Sequence, residues 1–189
     1  MRRKDDEKQR SIKNALIQLM LQEGFQGTSI AKIAKIAGVS PATVYIYYEN
    51  KDAMLREIYI EYVEDIYQTI LKRLTPDMRG EEIISELIQQ YYSFIKENQE
   101  IFHFIEQYSS CPILQSSCGL MKGPADLYQL LTELKSRQVF KDYSNDILYA
   151  ILFSPVKSIA LKNYESEQVA TKRLNELVSM VQLLLIKNS

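Results

Sequence analysis

The stretch Thr28-Ser29-Ile30-Ala31-Lys32-Ile33-Ala34-Lys35-Ile36-Ala37-Gly38-Val39-Ser40-Pro41-Ala42-Thr43-Val44-Tyr45-Ile46-Tyr47-Tyr48-Glu49-Asn50-Lys51-Asp52-Ala53-Met54-Leu55 reads as two short helices around a tight turn. Thr28 or Ser29 supplies a capping hydroxyl for the first helix, and Gly38 suits the left-handed backbone that ends it. Ser40-Pro41 then gives a second capping hydroxyl with proline at the first helical position. Ala34 is small where the two helices would cross, and Ile33, Ala37, Val39 and Val44 are the apolar contacts that fix their angle. Such spacing predicts a helix-turn-helix.

Outward from this stretch, glycine and proline are scarce and fall at Gly24, Gly27, Pro76, Gly80, Pro112, Gly119, Gly123 and Pro124, where helices would start or stop. Between them the apolar period is helical, as in Ile12, Ala15, Leu16 and Leu19 and again in Ile84, Leu87, Ile88 and Tyr91. The expected fold class is all-α, with about nine helices near 7–23, 29–37, 41–47, 51–74, 81–97, 98–110, 125–138, 145–163 and 167–187. Helix lengths change abruptly near residue 50. That places a small three-helix domain at 1–50 and a larger helical domain at 51–189.

Composition sets the class. The 189 residues are 46% hydrophobic and 25% charged, an ordinary globular balance. No apolar stretch follows Met-Arg-Arg-Lys-Asp-Asp-Glu at the amino end, and no apolar run approaches the ~18 residues of a membrane span. The expectation is a cytoplasmic protein with no membrane association. Net charge is -1, yet residues 1–52 hold nine Lys+Arg against six Asp+Glu, whereas 53–189 hold 14 against 18. A basic head on an acidic body points to a polyanion met by the head alone.

In a helix-turn-helix the second helix enters the major groove and the first lies across the phosphates, so helix 41–47 is the expected reader of double-stranded DNA. Thr28, Ser40, Pro41, Ala42, Thr43, Tyr45, Tyr47 and Lys51 are the candidate DNA contacts. The tyrosine hydroxyls suit phosphate oxygens, and Tyr48 is expected to turn inward as core. Asn50 would cap the next helix, bringing its free amides and the Lys51 ammonium to one phosphate. On that reading, Lys51→Ala lowers the slope of log K against log salt by about one.

Residues 38–52, Gly-Val-Ser-Pro-Ala-Thr-Val-Tyr-Ile-Tyr-Tyr-Glu-Asn-Lys-Asp, closely resemble the signature of the TetR family of transcriptional regulators, and the likeness extends over roughly the first 55 residues. It implies a dimeric, repressor-like protein whose carboxyl-terminal domain holds a small-molecule pocket and the dimer face. Two positions depart from the pattern. Ile46 stands where many members carry a polar or aromatic group, and Pro41-Ala42 replaces a frequent basic-glycine pair.

The larger domain shows no catalytic constellation, no metal set and no cofactor motif. His103 is the sole histidine, too few for a triad or a histidine metal cluster. Cys111 and Cys118 read as ordinary thiols, with a redox switch as the sharper alternative. Thirteen tyrosines is a high count, and hydroxyls among apolar rings suit a pocket for a planar or amphipathic effector. Tyr59, Tyr62, Tyr91, Phe94, Phe102, Phe104 and Tyr108 are its expected lining. The last two helices are apolar over more than one face, so Ile151, Leu174, Leu177, Val178, Val181 and Leu185 are expected to meet a second copy in a homodimer. The leading expectation is a repressor that binds a palindromic operator and is released by a small apolar or aromatic molecule. A helical scaffold of the same fold, acting through a protein partner with DNA contact weak or lost, is the alternative.

Overall fold

A computed structural model describes residues 2–115 and 121–187. The side chains of Arg2, Arg3 and Lys4 lie outside the described part, as does Cys118 with its redox pairing. Ten helices are present among the described residues: α1 (Arg2–Gly27), α2 (Ile30–Ala37), α3 (Pro41–Tyr47), α4 (Lys51–Leu71), α5 (Gly80–Glu97), α6 (Gln99–Tyr108), α7 (Pro112–Gln115), α8 (Lys122–Ser136), α9 (Asn145–Ala160) and α10 (Glu167–Leu185). The fold is all-α. The helix beyond the expected nine is the single turn α7, too short to show a period. None of these helices is long and apolar enough to cross a membrane.

Packing divides the chain into two compact units. One takes in α1 to α3, α4 as far as Val63, and α6 and α7; the other holds the rest of α4 from Glu64, α5, and α8 to α10. Compaction thus groups α6 with the first three helices, although a reading by helix length separates them at residue 50. The reason is visible in the side chains. Within the first unit α1 packs on both α2 and α6. The Tyr108 hydroxyl of α6 donates to the Met20 carbonyl of α1 at 2.8 Å in a buried setting. Tyr59, Phe104 and Tyr108 form a run of ring contacts at 6.3 and 5.5 Å.

In the second unit α5 packs on α9 and α10, and α9 also meets α8. Fully buried Ile84, Leu87 and Ile88 of α5 and Leu148, Leu152 and Val156 of α9 form its core. Aromatic rings extend it: Tyr91 meets Phe153 at 5.1 Å, Phe153 meets Tyr149 at 5.0 Å, and the Tyr67 hydroxyl donates to that of Tyr149 at 3.2 Å. A single antiparallel bridge among the described residues joins Phe140 to Ile186, and the Lys141 ammonium donates to the carbonyls of Leu183 and Leu184 at the end of α10. There a cation meets the negative end of the helix.

The stripe expected to form the dimer face divides differently. Leu174, Val178, Val181 and Leu185 are buried within the protomer, on the side of α10 that packs on α5 and α9. These four are core. Ile151 and Leu177 are half-buried, while Ile147, Met180, Leu183 and Leu184 are exposed. Sequence periodicity shows how wide an apolar stripe is, without showing which half of it the protomer covers.

At the start of α8 the Gly123 amide donates to both carboxylate oxygens of Glu64, at 3.0 and 2.8 Å. A carboxylate at a helix N-terminus satisfies free amides and complements the helix dipole. Gly123 is buried, and a Cβ there would stand 2.5 Å from the Tyr67 Cβ. Gly123→Ala is therefore expected to push α8 off α4 and lower stability by about 1–3 kcal/mol, the range for overpacking. Urea unfolding measures it, and an unchanged midpoint would show that the helix end gives way freely.

Candidate nucleic-acid interface

The chain enters the helix-turn-helix through a break in α1. Gly24 has φ 70° and ψ 178°, a positive-φ conformation that favours glycine, so the helical hydrogen-bond ladder is interrupted there. The carbonyls exposed by the break are taken up by side chains. Thr28 Oγ1 donates to the Gly24 oxygen at 2.8 Å, and Lys32 Nζ donates to that of Gly27 at 2.8 Å. Lys51 Nζ donates to the carbonyls of Phe25 and Thr28 at 2.8 and 3.0 Å, with the ammonium 3.9 Å from the Phe25 ring centroid. Cation–π attraction adds to two charge-assisted hydrogen bonds.

The hairpin forms as its local residues dictate. Ser29 caps α2, accepting from the Lys32 amide at 3.3 Å, which resolves the choice between Thr28 and Ser29. Gly38 takes φ 68° at the end of α2. Ser40 caps α3 by accepting from the Thr43 amide at 3.2 Å, with Pro41 at the helix start. Asn50 Oδ1 accepts from the Ala53 amide at 2.8 Å and opens α4.

The eight candidate contacts fall into three groups. Ser40, Pro41, Ala42 and Tyr45 are exposed, and Thr43 is half-buried with its hydroxyl 2.9 Å from that of Ser40. Tyr47 is half-buried and donates its hydroxyl to Asp5 of α1, and that bond to the carboxylate raises its phenol above the ordinary value. Thr28 and Lys51 are spent on the linker carbonyls. Thr28 is buried with its hydroxyl turned inward. Lys51 directs its ammonium at backbone oxygens of its own chain, not outward to a phosphate. Tyr48 faces inward as expected, and burial pushes its phenol up to about 12.

Ile46 is missing from that set, although its side chain is 77% exposed on the same helix. Three basic side chains of the head are engaged internally: Lys13 with Glu61, Lys32 with Glu23, and Lys51 as described. Lys8, Arg10 and Lys35 are exposed and carry no ion pair among the described residues.

The expected pocket residues are distributed by unit. Tyr59, Phe102, Phe104 and Tyr108 are buried in the first, with Tyr62 half-buried; Tyr91 and Phe94 are buried in the second. Within the second unit, Phe94 adjoins a cleft of about 650 Å³ walled by Gln68, Lys72, Arg73, Gln89 and Gln90. An aromatic run outside the expected lining is Tyr67, Tyr128 and Tyr149, whose partners lie on different helices. His103 is exposed on α6 and Cys111 is half-buried.

Residues 12–58 match the family described as bacterial regulatory proteins, tetR family. An uncharacterized HTH-type transcriptional regulator of Haemophilus influenzae is 26% identical over 154 residues, covering 79% of each chain. The fatty acid metabolism regulator protein of Bacillus subtilis is 23% identical over 151 residues, 80% of this chain and 69% of that one. A TetR family transcription regulator from Marinobacter aquaeolei VT8 superposes with a TM-score of 0.83 at 22% identity, covering 100% of both chains, a likeness of fold.

Lys51→Met would leave the Thr28 carbonyl without a donor and the Phe25 carbonyl with the Thr28 amide alone, at 3.3 Å, an expected loss of about 1–2 kcal/mol in urea unfolding. Its binding to a mixed-sequence duplex should keep the same salt slope. A slope lowered by about one with stability intact would instead return Lys51 to the phosphates.

Proposed function

We propose that this chain, whose residues 12–58 match the tetR family of bacterial regulatory proteins, is a transcriptional regulator of that family, a cytoplasmic, dimeric repressor that holds a palindromic operator and releases it on binding a small apolar or aromatic molecule. The observation that carries the DNA half of this reading is the capped hairpin of α2, Gly38 and α3, which leaves Ala42, Tyr45 and Ile46 of α3 exposed. Exposed Ser40 and Tyr45, with Lys8, Arg10 and Lys35, are the groups proposed to meet phosphates.

Two copies are proposed to join through the outer faces of α9 and α10. Ile147, Met180, Leu183 and Leu184 give that surface its apolar character, with half-buried Ile151 and Leu177 at its edge. Such a pairing would complete a four-helix interface, and a palindromic operator with half-sites one turn of the duplex apart asks for two copies of α3 about 34–36 Å apart. The effector class rests on the tyrosine-rich interior, and a relative concerned with fatty acid metabolism agrees with an apolar effector. α4, continuous from Lys51 to Leu71, is proposed to carry the signal. Coupling of this kind is reciprocal: operator DNA weakens effector binding by the factor by which effector weakens DNA binding.

A second reading, action through a protein partner with little DNA binding, is favoured by one observation: α3 carries no basic side chain. Selection of bound duplexes from a random DNA pool separates the two. A palindromic enriched site with half-sites one turn apart is the expected result, and no enrichment would favour the protein partner. For the dimer, Leu184→Asp is expected to yield a folded monomer in sedimentation, whereas Val178→Asp places a charge in the protomer core and should unfold it. A Leu184→Asp protein that stays dimeric would move the interface elsewhere.

A further inference from the structure

The face of α3 opposite its buried side is apolar. Val44 is fully buried, and at about 100° per residue Ala42 and Ile46 lie within about 20° of the direction diametrically opposed to it. Tyr45 and Thr43 flank them on either side. Ile46 is 77% exposed, against 57% for Tyr45 and 45% for Ile36, the other exposed large apolar residues described in this unit. An exposed isoleucine on an arbitrary surface calls for no account. Here it is the most exposed large apolar side chain of the one helix that the DNA-binding reading aims into the groove, with the Ala42 methyl one turn before it.

Apart from the Tyr45 hydroxyl at its flank, proposed above for a phosphate, the polar side chains of the helix are bonded within the protein. α3 is Pro-Ala-Thr-Val-Tyr-Ile-Tyr, with no arginine, lysine, asparagine or glutamine to make a bidentate bond to a base. The hydroxyls of Ser40 and Thr43 bond to one another, and Ser40 also caps the helix. The Tyr47 hydroxyl is given to Asp5. What the centre of this face offers a base edge is hydrocarbon. Among the groups that base pairs show in the major groove, the apolar one is the C5 methyl of thymine.

We propose that Ile46, with Ala42 beside it, reads thymine C5 methyl groups, so that each operator half-site carries thymine opposite this pair. The inference rests on the reading that α3 enters the major groove, and it adds the base and the side chain that recognises it. Specificity at this position then comes from burial of methyl against methyl, at about 0.8 kcal/mol per buried carbon or about fourfold in affinity.

The probe is the duplex recovered from the random pool, compared with the same duplex carrying deoxyuridine at each thymine in turn. Uracil keeps the pairing and every polar group and removes the methyl alone. The expected result is one thymine per half-site whose replacement weakens binding about fourfold, and about fifteenfold when both half-sites are changed. Ile46→Ala should bind the thymine duplex more weakly and lose most of the difference between thymine and uracil there. Its melting temperature should match that of the unchanged protein, because the side chain it shortens is exposed. Equal affinity for thymine and uracil duplexes at every position would overturn the proposal, as would discrimination that persists undiminished in Ile46→Ala. Failure to recover any duplex would instead overturn the DNA reading on which it stands.

Discussion

Between Gly24 and Thr28 the chain leaves a long helix and turns into a short one, and the carbonyls at such a break must find donors or water. Here they find side chains. Thr28 reaches back to Gly24, Lys32 to Gly27, and Lys51 closes over Phe25 and Thr28 together. Because Lys51 opens α4, this one ammonium ties the end of α1, the entry to α2 and the start of α4. Helices of eight and seven residues are marginal alone in water. Their position on α1 depends on a corner whose backbone oxygens are satisfied.

What could be read in advance was local chemistry. Ser29, Gly38, Ser40-Pro41 and Asn50 act within a few residues of themselves, so their cap roles follow from sequence order. Tyr48 as core follows from the helical period. Thr28, Tyr47 and Lys51 resisted the same reading because each has a polar group with two uses, an outward phosphate or an inward partner. An inward partner of Lys51 lies 26 residues away and that of Tyr47 lies 42 away. Ile46 shows the opposite failure: a hydrophobic residue in a polar position is discounted from sequence, whereas its direction on the helix gives it meaning.

The second unit repeats this lesson at the level of packing. α10 is apolar over a wide arc, and its pattern is the same whether the inner half meets α5 and α9 or a second copy. Only placement separates Val178, buried against its own protomer, from Leu183 further along the helix and 80% exposed. The tyrosines behave likewise. Tyr67 and Tyr149 meet across 82 residues of chain, and burial keeps the phenol of Tyr67 well above its ordinary value, so it remains a neutral donor.

The bond between Tyr47 and Asp5 bears on the thermodynamics of association. A phosphate oxygen that takes the Tyr47 hydroxyl must displace a carboxylate that already holds it, so one charge-assisted bond is exchanged for another and little net enthalpy accrues at that site. In such an exchange the displaced Asp5 carboxylate would stand in the field of the duplex and gather cations from solution, while lysines and arginines at the phosphates would set cations free. Ion uptake at Asp5 would then run against ion release elsewhere, and a salt dependence would register the difference between them.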